Sequence, residues 1–272
     1  MTIAETYRES LKSGQVESAA VKLLLAHVLQ IEVGELFLHF HQEMENDVSY
    51  QSMLSRLIDG EPVQYITGTA FFYGRDFIVD SSVLIPRPET EIMVDEVKKW
   101  LANHPAQTII DLGTGSGCLA VSIKKMFPHL YVAASDISQT ALEIARINAR
   151  KHQVDIDLIQ GNWLTPFIEK RVIADVIMSN PPYIASPSTV AFNVLEYEPH
   201  SALFAKDGIA NHVEIMTQAS ACLKKGGLLI LEIDEEQPDL LAPIAQEIFK
   251  GAKIEFIKDL QGKPRFLKVE TI

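Results

Sequence analysis

The tetrapeptide Asn180-Pro181-Pro182-Tyr183 follows Asp175-Val176-Ile177-Met178-Ser179, an apolar run that reads as a buried strand. Each proline restricts the residue before it to extended geometry, so the backbone at Asn180 and Pro181 is nearly fixed. Neither proline has an N–H, which leaves carbonyls as the exposed polar groups. The Asn180 side-chain oxygen and the Pro181 carbonyl can each accept one hydrogen of a substrate –NH2, with Tyr183 as an apolar wall against a flat group. The nitrogen suited to such a holder is an amide or an exocyclic amine. Its lone pair is delocalised and it has no useful basic form, so a general base does little before attack. Two fixed acceptors orient it toward an electrophilic methyl and stabilise positive charge as it develops. Positioning of this kind supplies up to roughly 7–11 kcal/mol. Without a second signal, however, the same residues would read as a rigid turn.

The second signal lies upstream. Asp111-Leu112-Gly113-Thr114-Gly115-Ser116-Gly117 ends one strand and opens a helix, and its alternating glycines let a ligand lie against bare backbone and helix N–H groups. A dinucleotide loop would need its third glycine one residue later, where Cys118 stands. Asp111 would repel a pyrophosphate and attract the ammonium of a methionine moiety. Asp136, at the end of the next strand, is placed to hold ribose hydroxyls. After the third strand, Gly161-Asn162-Trp163 offers an amide and an indole to flank an adenine ring, although Trp163 reads equally as core. Together these features point to a nucleoside cofactor.

The elements that must carry these groups alternate regularly. Strands are expected at Thr108–Leu112, Tyr131–Ser135, Ile156–Ile159, Asp175–Ser179, Leu228–Ile233, Lys253–Lys258 and Phe266–Val269, with helices between most of them, notably Ser138–His152 and Gly208–Leu223. Such alternation implies an α/β, doubly wound, Rossmann-like sheet of seven strands. Only Asp259–Arg265 separates the last two strands, too little for a parallel crossover, so that pair is antiparallel. Residues 1–70 read as a small helical domain. Apolar residues in Glu17–Leu29 recur at helical spacing, and the run Met53–Ile58 stops at Asp59-Gly60-Glu61-Pro62. Residues 71–84 read as a β-hairpin linker, and 85–272 as the catalytic domain. Ile85-Pro86-Arg87-Pro88-Glu89-Thr90 fixes an extended path, with Glu89 or Thr90 starting the next helix.

A net charge of −12 speaks against salt-driven binding to a nucleic-acid backbone. Residues 1–70 carry ten acids against four bases, which suits a solvated helical face or a dock for a basic protein. Two distant cysteines, Cys118 and Cys222, form neither a disulfide framework nor a metal site. The chain has no membrane-length apolar run and no apolar leader, so a cytoplasmic protein is expected.

Asp111 to Gly117 followed by Asn180 to Tyr183 resembles the amino methyltransferases. With Ile85 to Thr90, and a helical N-terminal part ending in Gly60-Glu61-Pro62, the whole chain resembles the peptide chain release factor glutamine methyltransferases, the PrmC/HemK family. The resemblance implies transfer of a methyl from S-adenosylmethionine, without a metal, to the glutamine amide of a Gly-Gly-Gln loop in release factors. It implies cofactor contacts at Gly113, Thr114, Gly115, Ser116, Gly117, Asp136, Trp163 and Asn180. The substrate amide would be held by Asn180, Pro181, Pro182 and Tyr183. Two positions depart from the family pattern: Asn162 stands where Asp is common, and Asp234 where a glycine usually follows the fifth strand. Arg87 either steers the substrate or pairs with Glu89. Glu196, Glu198 and Pro199 lie in a long connection, Ile184 to Ala205, of the length that often forms a lid. His39 and His41 read as ordinary helix-end residues. Competing readings are a glutamine methyltransferase of a large-subunit ribosomal protein, a nucleic-acid adenine amino methyltransferase, and a catalytically silent cofactor-binding module.

Overall fold

The computed structural model describes residues 1–12, 14–44 and 48–272. The chain forms two compact units. The first comprises Met1–Thr69 and Phe192–Tyr197. It contains helices α1 (Ile3–Leu11), α2 (Ser18–Leu29), α3 (Val48–Ile58) and α4 (Val63–Thr67). Thr2 and Glu5 form a reciprocal capping box that starts α1, and left-handed Gly68 stops α4. Val21, Leu24 and Leu25 from α2 meet Ile3, Tyr50, Leu54 and Leu57 in this unit's core.

The second unit comprises Ala70–Ala191 and Glu198–Ile272. Strands β1 (Thr69–Phe72) and β2 (Arg75–Ile78) make a hairpin that buries Phe72 and Phe77 in this unit's core. After α5 (Glu91–Leu101) the chain alternates through β3 (Thr108–Leu112), α6 (Cys118–Met126), β4 (Tyr131–Asp136), α7 (Gln139–Lys151), β5 (Asp157–Gln160), α8 (Thr165–Glu169) and β6 (Ala174–Ser179). Three short helices follow: α9 (Phe192–Tyr197), which belongs to the first unit, α10 (His200–Leu203) and α11 (Ala210–Ala219). Then come β7 (Leu223–Glu232), α12 (Pro238–Ile248), β8 (Lys253–Lys258) and β9 (Pro264–Glu270).

The seven strands from β3 onward form one sheet in the order β5-β4-β3-β6-β7-β9-β8. The first five run parallel, and β9 is antiparallel to both β7 and β8. β3 and β6 are buried along almost their whole length, as strands covered on both faces must be. The helix expected from Gly208 begins at Ala210, because Asp207 and Gly208 both adopt positive φ. β7 starts five residues earlier than its apolar run, at Leu223, where exposed Lys224, Lys225 and Gly226 hid it. Strand order reverses between β3 and β6, the switch point where open α/β sheets bind ligands beyond their carboxyl ends. Register pairs Leu112 with Ser179 there, so Gly113 and Asn180 leave the sheet side by side. Among the described residues no helix is long and apolar enough to cross a membrane.

Candidate active site

A cavity of about 300 Å³ opens at this switch point. Gly113, Thr114, Gly115 and Ser116 line it on the β3 side, Asp136 and Gly161 to Trp163 beyond them, and Asn180 with Pro182 on the β6 side. Three expected site residues lie outside the lining. Gly117 is the left-handed N-cap of α6, where a Cβ would come within 3.2 Å of the Ala145 backbone. Pro181 is buried. Tyr183 donates its hydroxyl to Glu232 Oε1 at 3.3 Å.

The glycine loop is held from behind. Asp111 is fully buried. Its Oδ2 accepts from Thr114 Oγ1 at 2.6 Å and from Ala120 N–H at 3.2 Å, while Oδ1 has no partner. Burial pushes its carboxyl up to about 7, against the pull of those two donors. Asp136 receives the Gly115 N–H on Oδ2 and the Ser138 N–H on Oδ1, both at 2.9 Å, and burial raises its carboxyl as well. Buried Asn148 ties the hairpin to the loop, accepting from Ile78 N–H and donating to the carbonyls of Ile78 and Ser116.

Trp163 adopts a left-handed backbone with φ of 48°, which an indole-bearing residue keeps only when its surroundings enforce it. Ser135 Oγ donates to its carbonyl at 2.7 Å, and its ring packs so closely on Gly113 that a Cβ there would sit 3.2 Å away. Asn162 Nδ2 donates to Glu214 Oε1 at 2.6 Å, and Glu214 itself lines the cavity. The Asn162 departure therefore has a local partner. Asp234 also has one: it closes a turn in which its Oδ1 accepts from Glu236 N–H and its own N–H donates to Gln237 Oε1.

The connection from Ile184 to Ala205 is closed at its base by Ile184 N–H to Leu203 carbonyl and Ala205 N–H to Ile184 carbonyl, each 3.0 Å. Pro199, Ser201, Ala202 and Phe204 from it line the cavity, whereas Glu196 is exposed. Arg87 pairs with Glu198 at 2.6 Å rather than with its neighbour Glu89. Glu198 is buried and also accepts from Ile85 N–H, so one carboxylate fastens the Ile85–Thr90 segment to this wall. Sequence reasoning missed Thr90, Glu232, Asn148 and Gln237. Gln237 donates toward the carbonyls of Tyr183 and Gly208 and bears no local signature.

The donor set fits an adenosyl cofactor with a methionine tail. The cavity presents bare glycine backbone, the carboxylates of Asp136 and Glu214 and the indole of Trp163, and the unpartnered Asp111 Oδ1 belongs to the residue that the same loop bonds. Among the described residues no group of three or more His, Cys, Asp or Glu is arranged to hold a metal ion.

Comparison with known proteins first gives the class. Residues 89–197 match the methyltransferase small domain family, and residues 5–68 match the PrmC N-terminal domain family. A methyltransferase from Pyrococcus furiosus shares the fold with a TM-score of 0.52 at 19% identity, over 82% of this chain and 100% of its own. The particular family follows from closer relatives. The release factor glutamine methyltransferase of Staphylococcus aureus is 38% identical over 256 residues, 92% of this chain and 91% of the relative. That of Koribacter versatilis is 34% identical over 275 residues, 97% of each. The chain belongs to the release factor glutamine methyltransferase family.

Proposed function

We propose that this protein methylates the side-chain amide nitrogen of the glutamine in the Gly-Gly-Gln loop of peptide chain release factors, in the cytoplasm, with S-adenosylmethionine as donor. The observation that carries the reading is the placing of Asn180 and Pro182 on one cavity with Gly113 to Ser116. A holder for a planar –NH2 and a cradle for a nucleoside thus share one space. When bound, S-adenosylmethionine supplies an electrophilic methyl carried on a sulfonium. Gly113 to Ser116, Asp136 and Trp163 hold that cofactor. Asn180 Oδ1 and the Pro181 carbonyl accept the two amide hydrogens and fix the nitrogen's direction. The Pro182 carbonyl accepts from Asn211 Nδ2 at 2.9 Å, which fixes the backbone beside Pro181. Both acceptors gain strength as the nitrogen becomes positive, which lowers the barrier selectively. The helical residues 1–70, with their excess of acids, serve as the dock for the release factor.

The test is mass spectrometry of purified release factors incubated with the protein and S-adenosylmethionine. One added methyl on the Gly-Gly-Gln glutamine, absent with Asn180→Ala, is expected. Unmodified, correctly folded factors alongside intact cofactor binding would overturn the substrate assignment.

A further inference from the structure

Glu232 ends β7, the strand paired beside β6 with Leu231 opposite Ser179, and is almost completely buried. Its Oε2 accepts from Thr90 Oγ1 at 2.6 Å, and its Oε1 accepts from the Tyr183 hydroxyl. Thr90 Oγ1 in turn receives Asn180 Nδ2 at 3.3 Å. A hydroxyl has a single hydrogen, and Thr90 commits it to the carboxylate. Toward Asn180 it can then only accept. The Asn180 amide must give Thr90 its NH2 face and turn its oxygen the other way.

We propose that Thr90, oriented by Glu232, is a positioning residue that sets the Asn180 amide with its oxygen available to the substrate N–H. This rests on the reading of Asn180 as an acceptor for the glutamine amide. It assigns a task to the last residue of Ile85–Thr90, whose side chain makes no cap on α5.

The clamp has a second state. A protonated Glu232 could donate to Thr90, whose hydrogen would then be free to point at Asn180. The amide would turn over and present NH2 to a substrate NH2, a donor against a donor. The groups facing Glu232 set the balance. Arg265 from β9 favours the carboxylate, and Glu89 beside Thr90 opposes it. The Tyr183 hydroxyl donates to it, with Asp234 acting on that tyrosine from two residues along the chain. His212 from α11 bonds the Glu232 carbonyl at 2.8 Å and is held neutral, because burial lowers it to about 4. Burial moves Glu232 itself up to about 7, so both states are accessible near neutrality.

The experiment compares Thr90→Val, Thr90→Ser and Glu232→Gln by steady-state methylation of a release factor and by the side-chain amide NMR signal of Asn180, assigned through Asn180→Asp. Thr90→Val should lower kcat by about ten- to a hundredfold, the scale of a misplaced reacting group. KM and S-adenosylhomocysteine affinity should hold. Thr90→Ser should recover most of the rate. Wild-type kcat should fall on the acid side of about pH 7 with the Asn180 signal titrating in step, and Glu232→Gln should remove both effects. Equal losses in Thr90→Val and Thr90→Ser, a loss confined to KM, or an Asn180 signal indifferent to pH would overturn the clamp. If the wild-type protein methylates no release factor, the substrate reading falls, while the NMR titration still decides the clamp.

Discussion

The two ends of the β-sheet treat buried carboxylates in opposite ways. At the amino edge, Asp175 near the start of β6 accepts the N–H groups of Gln107 and Thr108 and pairs with Lys224 at 2.8 Å. Burial pushes its carboxyl up, but these donors outweigh it and hold it below the usual range. At the carboxyl edge, Asp111, Asp136 and Glu232 close β3, β4 and β7 without a bonded cation, and burial leaves all three raised. One sheet thus carries a cation-paired carboxylate at its amino edge and carboxylates held only by neutral donors at its carboxyl edge. Raised carboxylates beside a cavity are a mark of a working edge, and here they coincide with the topological switch point.

The sharpest way to break this contrast is Asn180→Ala. Turnover should fall by two to three orders of magnitude, about the cost of deleting one fixed transition-state partner, while calorimetry shows S-adenosylhomocysteine still binding. Loss of both together would place Asn180 in the cofactor cradle instead. At the opposite edge, Asp175→Ala should lose about 2–3 kcal/mol in urea unfolding, because two backbone donors are stranded, with turnover per folded molecule preserved. Trp163→Ala should weaken S-adenosylhomocysteine binding by about 1–3 kcal/mol, the value of a base–aromatic stack.

The smallest effect is one of slope. Burial pushes the Asp111 carboxyl from its ordinary value near 4 up to about 7, so the folded state binds the extra proton. Its contribution to stability is complete below about pH 4 and is lost as pH rises toward 7. Asp175 runs the other way, stabilising above about pH 4 and losing its contribution as pH falls through its depressed value. Unfolding measured against pH for Asp111→Asn and Asp175→Asn, each subtracted from wild type, should give slopes of opposite sign. Slopes of equal sign would erase the difference between the edges.

Much of the frame was legible because it is local. β3 and β8 match their expected limits to the residue, and β5 is displaced by one. The seven-stranded sheet and its antiparallel close followed from alternation and from one short connection. Gly113 to Ser116, Asp136, Trp163 and Asn180, which line the cavity, were legible because they end or closely follow recognisable strands. What stayed hidden was pairing across distance. Arg87 read either as steering the substrate or as pairing with Glu89 two residues away, and its partner is Glu198, reached by folding a connection back on itself. Thr90 looked like a helix start, and its hydroxyl instead serves a carboxylate 142 residues later. Asp111 stood out for its charge at a strand end, but nothing local marked Thr114 and Ala120 as the donors that bond it. Nothing local marked the Tyr183 hydroxyl as the partner of Glu232, which lies 49 residues further on.

That separation also bears on the birth of the molecule. Thr90 and Glu232 meet only after β7 has entered the sheet, and β9 must then pair with β7 from the far side. A chain emerging from the ribosome can assemble β3 to β5 and the glycine cradle early, from neighbouring segments. The substrate end matures last, since contacts of such long sequence separation close slowly. A nascent chain arrested before β7 would therefore hold Gly113 to Gly117 but lack the carboxylate that Thr90 bonds.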